Sequence, residues 1–270
     1  MTLDKALFIS QEIAPYLPSS TLADYGRDLP QALIEGGTEV RTFMPKYGAI
    51  NERRNQLHEV IRLSGLNIVI DDTDHPLVIK VATLQPSRMQ VYFIDNDDFF
   101  CRPGTTTGLE TVTNPADNDE RCMFFVRGVI ETVKKLRWSP AVVHCSGWTT
   151  ALAPLYIRRM YRDDPTMHDS KIVYALFNED PVEPLSPAMV DKLRQDGFTD
   201  ADLQSLTSAA QIDQIALGKL AIDYSDGVVA AVADAPAELV EYAKAKGKPF
   251  MAYPGPGTCV GAYRDFYQTL

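Results

Sequence analysis

Residues 6–45 read ALFISQEIAPYLPSSTLADYGRDLPQALIEGGTEVRTFMP, and this stretch decides the fold. An apolar run at 6–10 is followed by a helix-length amphipathic stretch at 22–36 and by a second β-rich run at 39–45. This order is typical of a βαβ unit, in which a crossover helix joins two parallel strands. We therefore interpret the stretch as the start of a parallel sheet.

The same alternation continues along the rest of the chain. Further β-rich apolar runs occupy 91–95, 142–144, 172–178 and 227–232. Helical patterns occupy 119–137, 149–162, 187–196, 212–226, 235–246 and 260–270. Short, continuously apolar strands fit a parallel sheet that is covered on both faces. We predict an α/β protein with a Rossmann-like, doubly wound and mostly parallel sheet.

One part of the chain departs from this alternation. Residues 58–70 and 77–83 alternate apolar and polar side chains on either side of a turn signal at 71–76. This pattern predicts an antiparallel hairpin at the edge of the sheet.

Two acidic runs can be interpreted either as turns or as ligand sites. One is Asp71, Asp72 and Asp74 in the hairpin turn, and the other is 95–98, directly after a predicted strand. Either run offers the carboxylates that a hard cation prefers, but both have the composition of turns. We interpret both as turn residues, although the second would also line a crevice at a strand end.

Charge and hydropathy exclude several classes of function. The chain of 270 residues has 36 acidic against 26 basic side chains and a formal net charge of −10. An acidic surface repels phosphate backbones and anionic membranes, so neither nucleic acid nor a membrane is expected as a partner. The first apolar run is too short for a signal peptide or a membrane span, which predicts a cytoplasmic protein.

The cysteines and histidines predict no metal site. The four cysteines, Cys101, Cys122, Cys145 and Cys259, show no C-x-x-C spacing, and the four histidines form no ligand pair. Dinucleotide, P-loop, nucleophile-elbow and H-E-x-x-H motifs are also absent, so no cofactor is expected. His144 and Cys145 are neighbours on one strand and point to opposite faces, which disfavours a nucleophile and base pair.

A set of segments along the chain carries a family resemblance: 7–15, 22–24, 28–33, 40–48, 91–96, 102–104, 117–121, 140–145, Trp148, 151–154, 223–229 and 262–270. Taken in order, these segments resemble the N-terminal half of the bacterial glycogen synthase and plant starch synthase family. The resemblance is specific because the segments are collinear across most of the chain.

The resemblance implies a GT-B architecture, in which two Rossmann-like domains face each other across a cleft. Such enzymes transfer glucose from ADP-glucose to the non-reducing end of an α-1,4-glucan, and the donor sits mainly on the C-terminal domain. By this resemblance, residues 1–257 form the acceptor-side domain, and 258–270 form a C-terminal helix that packs back on it. The chain is then a short form without the donor-binding domain.

This sequence differs from the family pattern at positions that the family uses in the transfer reaction. In the pattern K-T-G-G-L-A-D, Pro18 replaces the lysine, and Ser20 and Thr21 replace the glycines. In H-C-H-D-W-H, Gly147 replaces the aspartate, while Ser146 and Thr149 replace histidines.

In V-H-N, Phe177 replaces the histidine that supports the transferred sugar. Proline cannot neutralise a leaving phosphate, and phenylalanine cannot hydrogen-bond. The resemblance therefore implies that no catalytic residue is retained at Pro18, Gly147 or Phe177.

The residues left for substrate binding are Asp24, Trp148, Thr149 and Asn178. We expect a catalytically incomplete domain that binds an α-glucan or acts as a regulatory or interaction protein. One alternative is an active glucosyltransferase whose partner chain supplies the donor site. The other is a Rossmann-like scaffold that docks on an unrelated protein. The face left by a missing domain would also allow a homo-oligomer.

Overall fold

A computed structural model describes residues 3–101, 117–179, 183–256 and 259–270. The loop predicted at 101–118 lies mostly outside these residues. So do part of the loop predicted at 181–187 and the domain boundary predicted between 257 and 258.

The described chain is an α/β protein, as predicted. Its strands are β1 (Lys5–Ser10), β2 (Glu39–Pro45), β3 (His58–Glu59), β4 (Leu66–Ile70), β5 (Thr73–Leu84), β6 (Met89–Asp95), β7 (Val142–Ser146), β8 (Lys171–Leu176), β9 (Gly227–Ala230) and β10 (Phe250–Met251). Its helices are α1 (Thr21–Glu35), α2 (Asp97–Phe100), α3 (Asn118–Leu136), α4 (Ala153–Arg158), α5 (Met189–Gln195), α6 (Gln204–Thr207), α7 (Gln214–Tyr224), α8 (Ala237–Ala245) and α9 (Val260–Thr269), with a 3-10 turn, η1, at Trp148–Thr150.

The sheet has the order β10-β9-β8-β7-β1-β2-β6-β5-β3, and β4 pairs with β5. Strands β10 to β6 in this order are parallel, whereas β5 pairs antiparallel with β6, β3 and β4. From β1 the chain moves to β2 on one side, and it later returns to β7 on the other. The strand order therefore reverses between β1 and β7, where doubly wound sheets bind ligands at their carboxyl ends.

The edge hairpin is confirmed, with a shorter turn than predicted. Ile70 pairs with Thr73, so only Asp71 and Asp72 lie between the strands. Both have left-handed backbones, with φ of 49° and 58°, which a two-residue hairpin turn requires. Aspartate tolerates this conformation better than most residues. The remainder of the predicted turn, from Thr73 onward, belongs to β5.

The helix predicted at 149–162 is broken into two pieces. The turn η1 ends at Thr150, and α4 spans only Ala153–Arg158. Pro154 lies in the first turn of α4, where its missing N–H is not needed. Proline cannot continue a preceding helix without loss of a hydrogen bond, so the longer helix predicted from the amphipathic pattern was wrong.

The C-terminal helix packs back on the sheet, as expected. Tyr267 of α9 lies 2.9 Å from His144 Nδ1, and Tyr25 of α1 lies 2.8 Å from His144 Nε2. Arg264 donates to the carbonyl of Gly36 at the end of α1 at 2.6 Å. His144 is thus enclosed between two helices, while Cys145 belongs to the core on the opposite face. No helix in the described part of the chain is long and apolar enough to cross a bilayer.

Burial lowers the pKa of His144 to about 3, so the imidazole is neutral. A neutral imidazole donates a hydrogen bond through one nitrogen and accepts one through the other, which matches the two tyrosine hydroxyls. The docking of α9 therefore depends on a fully paired buried histidine.

Replacement Tyr267→Phe is expected to lower the free energy of unfolding by about 1–3 kcal/mol, because it leaves a buried ring nitrogen of His144 without a partner. Urea denaturation measures the loss. Tyr253→Phe is the control, since Tyr253 is only half-buried, and it should change stability by less than about 0.5 kcal/mol. Equal losses in the two variants would contradict this account.

Candidate functional site

The point where the strand order reverses is closely packed. Gln11 follows β1, and its backbone N–H donates to the carbonyl of Ser146 at 2.9 Å. Gly147 follows β7 with a φ of +90°, and a Cβ added there would lie 2.4 Å from Gln11 Cβ. The side chain of Gln11 therefore occupies the space that any side chain at 147 would need. Glycine is required at 147 because it tolerates the positive φ and because it has no Cβ to clash with Gln11.

The amide of Gln11 links the neighbouring loops. Its Oε1 accepts from the backbone N–H of Thr149 at 3.2 Å, and its side chain lies beside the carboxyl group of Glu179. Glu179, just after β8, accepts from the backbone N–H of Trp148 at 3.1 Å. These bonds hold the start of η1 against the ends of β1 and β8.

A second carboxyl group lies close to Glu179. Glu12 is buried, and its Oε2 accepts from Ser20 Oγ at 2.8 Å. Burial, and to a smaller extent the charge of Glu12, raise the pKa of Glu179 to about 8. At neutral pH Glu179 is therefore mainly a neutral carboxylic acid, which both donates and accepts hydrogen bonds.

The N-terminus of α1 is satisfied by the chain itself. Ser20 is the N-cap, and its Oγ accepts from the N–H of Ala23 at 2.9 Å while it donates to Glu12. Pro18 is exposed and brings no charge. The helix terminus that could hold an anion is thus capped by its own serine and lies beside a carboxylate.

An open cleft of about 370 Å³ lies beyond the carboxyl end of β8. Its described lining has no basic side chain, and its polar side chains carry carboxyls, amides, a tyrosine hydroxyl and an indole N–H. The lining residues are Trp148, Tyr174, Ala175, Leu176, Phe177, Asn178, Glu179, Gln211, Asp213, Gln214, Ile215, Pro236 and Leu239. Such a surface suits a neutral ligand rich in hydroxyl groups better than a phosphate.

The structure brings together two of the four predicted substrate-binding residues. Trp148 and Asn178 both line the cleft, and Asn178 Nδ2 donates to Asp234 at 2.8 Å. Trp148 is only 3% exposed, so its ring forms part of the wall and offers no open stacking face.

The other two predicted residues lie elsewhere. Thr149 lines a separate small cavity with Tyr47, and its buried Oγ1 has no hydrogen-bond partner in the described part of the chain. Asp24 accepts from Ser19 Oγ at 2.6 Å and pairs with Arg27 at 3.2 Å, and it is not part of the cleft lining.

Phe177 also reaches the cleft, but its ring packs edge-on against Tyr25 with centroids 5.0 Å apart. The position is therefore part of the packing between β8 and α1.

Sequence reasoning missed Gln11, Glu12 and Glu179 as members of the site. Gln11 and Glu12 directly follow β1, and Glu179 follows β8 by three residues. Their position after strand ends was the available signal, because the carboxyl ends of parallel strands meet at one edge.

A family model and individual known proteins both match this chain, and both are starch or glycogen synthases. A family model described as "Starch synthase catalytic domain" matches residues 5–247. A glycogen synthase of Chlorobium phaeobacteroides is 38% identical over 174 residues, which cover 64% of this chain and 36% of that protein. A glycogen synthase of Chlorobaculum parvum is 35% identical over 230 residues, covering 78% of this chain and 47% of that protein.

A solved structure has the same fold. It is the catalytic domain of starch synthase IV from Arabidopsis thaliana bound to ADP and acarbose, with a TM-score of 0.75 and 19% identity. The match covers 95% of this chain and 52% of that one. The chain thus spans between about a third and a half of the length of these relatives.

Gly147→Ala is expected to destabilise the protein by more than Gly37→Ala. Both glycines have a φ near +90°, but a Cβ at 37 meets nothing within 4 Å, whereas one at 147 meets Gln11. The left-handed backbone alone costs an alanine about 1–2 kcal/mol, and overpacking against Gln11 adds about 1–3 kcal/mol at 147. Chemical denaturation compares the two variants, and an equal loss would show that Gln11 moves aside freely.

Glu179→Gln is expected to gain stability relative to the wild type as the pH rises. The folded chain retains a proton on Glu179 up to about pH 8, whereas the unfolded chain releases it near 4.5. The contribution of Glu179 to stability is therefore full below 4.5 and falls as the pH rises toward 8. Glutamine keeps the acceptor for Trp148 and does not ionise.

The measurement is the difference in Tm between Glu179→Gln and the wild type from pH 5 to pH 8. Glu35→Gln, at an exposed position, is the control and should show a constant difference. A constant difference in the Glu179 variant as well would contradict the raised pKa.

Proposed function

The chain belongs to the starch synthase catalytic domain family, and from this we propose that it binds an α-1,4-glucan in the cleft beyond β8 without transferring glucose through its own residues. The observation that carries the proposal is the amide- and carboxyl-rich lining of that cleft, which has no basic side chain among its described residues.

The chemistry of the lining supports a sugar ligand. Glucose units present neutral hydroxyl groups that both donate and accept hydrogen bonds. Asn178, Gln211 and Gln214 offer amides for such groups, and the protonated carboxyl of Glu179 adds a donor. Leu239 and Pro236 supply apolar surface for the faces of the sugar rings.

The same lining argues against a nucleotide sugar in this cleft. A diphosphate requires cationic side chains or free backbone N–H groups at a helix terminus. The described lining has no basic side chain. Ser20 caps the nearby helix α1 and lies beside the carboxyl group of Glu12.

At the positions that the family uses for glucose transfer, this chain has residues that cannot perform the same roles. Pro18 has no charge, Phe177 has no polar atom, and Gly147 has no side chain. Gln11 occupies the space in which an aspartate at 147 would lie. Loss of one transition-state contact costs about a hundredfold or more in rate, so several such losses support a binding role.

Retention of the protein by glycogen in native gel electrophoresis tests the proposal, with an unrelated acidic protein as the control. Asn178→Ala is expected to weaken retention by about 3- to 10-fold, because it removes hydrogen bonds worth about 0.5–1.5 kcal/mol. Asn67→Ala is the matched control, since Asn67 is exposed on the edge strand β4. Unchanged migration of the wild type would disprove glucan binding and favour a role as a protein-docking scaffold.

Two further measurements separate binding from transfer. A maltooligosaccharide should raise the Tm of the protein, whereas ADP-glucose at the same concentration should not. Release of ADP from ADP-glucose by the isolated chain in the presence of glucan would contradict the proposal. Release only after addition of a second chain would instead favour the partner-dependent enzyme.

A further inference from the structure

A cluster of charged side chains lies at the carboxyl ends of β2 and β6 and shares no residue with the glucan cleft. Its members are Lys46, Glu52, Lys80, Asp95, Asp97 and Cys101. The cluster includes Asp95 and Asp97 from the acidic run at 95–98, which the sequence predicts to be a turn that also lines a crevice.

The local backbone explains why three of these residues meet. Asn96 caps α2 by accepting from the N–H groups of Asp98 and Phe99 at 3.0 and 3.1 Å. The helical turn then places Cys101 four residues after Asp97, on the same face. One ligand atom each from Asp95, Asp97 and Cys101 lies within 4.8 Å of the others.

A second observation is independent of this clustering. Asp95 is only 3% exposed, and its Oδ2 lies 2.7 Å from Lys80 Nζ. Its Oδ1 is buried and has no hydrogen-bond partner among the described residues. An unpaired buried carboxylate oxygen is costly, and a cation bound to it would remove the cost.

The charges of the cluster favour a cation. Glu52, Asp95 and Asp97 provide three negative charges, and Lys46 and Lys80 provide two positive ones, so the cluster as a whole is negative.

We propose that Asp95, Asp97 and Cys101 form a site for a thiophilic divalent cation such as Zn²⁺. Two carboxylate oxygens and one thiolate suit Zn²⁺, Co²⁺ or Cd²⁺, whereas Ca²⁺ and Mg²⁺ prefer oxygen ligands alone. Three protein ligands leave a fourth tetrahedral position for water.

Binding requires two local changes. The S–H bond of Cys101 breaks, its proton passes to solvent, and a metal–sulfur bond forms. Lys46, whose Nζ lies 3.4 Å from Cys101 Sγ, leaves the sulfur and keeps its ion pair with Glu52 at 2.9 Å. Lys46 thus competes with the metal for the thiolate.

Titration of the full chain with Co²⁺ tests the proposal, because a cobalt–thiolate bond gives a charge-transfer absorption band. The wild type is expected to bind about one equivalent with this band, and Zn²⁺ should displace the cobalt. Cys101→Ser should lose the band, while the matched control Cys259→Ser, which replaces another half-buried cysteine, should keep it.

Two variants test the rest of the site, with Tm as the check on folding. Asp97→Asn, at an exposed position, should weaken binding roughly tenfold or more. Lys46→Met should strengthen it, because no ammonium group has to leave the sulfur. A wild type without the band, a band that survives Cys101→Ser, or unchanged affinity in Asp97→Asn would overturn the site, and weaker binding by Lys46→Met would overturn the competition.

Discussion

The contact between Gln11 and Gly147 determines the arrangement of the candidate site. Gly147 has a left-handed backbone and no Cβ, so the side chain of Gln11 can lie across the end of β7. From there its amide holds Thr149 and contacts Glu179, which in turn holds Trp148. One wall of the cleft beyond β8 therefore depends on a glycine at the point where the strand order reverses.

In the same region, polar groups at the strand ends and at the start of α1 are paired with side chains of the protein itself. Ser20 both caps α1 and donates to Glu12, and Gln11 fills the space beside Gly147. Buried polar groups that are already paired have little free energy to gain from a new ligand. The proposed loss of transfer chemistry and the proposed retention of glucan binding thus concern two adjacent surfaces, one closed by internal bonds and one open.

Charge pairing distinguishes two regions of this sheet. Glu179 and His144 are both neutral near pH 7, because desolvation raises the pKa of the acid and lowers that of the base. Lys46, Lys80 and Asp95 form a charged cluster at the ends of β2 and β6 instead. The ligands proposed for the two regions differ accordingly, a sugar in one and a metal cation in the other.

The sequence by itself determined the order of the longer strands and helices, the edge hairpin and the C-terminal helix, because hydrophobic periodicity and turn residues act locally. Of the residues predicted to bind substrate, Trp148 and Asn178 line the cleft beyond β8, whereas Asp24 and Thr149 lie outside its lining, and their role in binding stays a prediction. The sequence failed for the helix that Pro154 interrupts. Only the tertiary structure decided that Gln11 meets Glu179 and that Lys46 meets Cys101, because contacts between distant residues depend on strand register and packing, which no local pattern encodes.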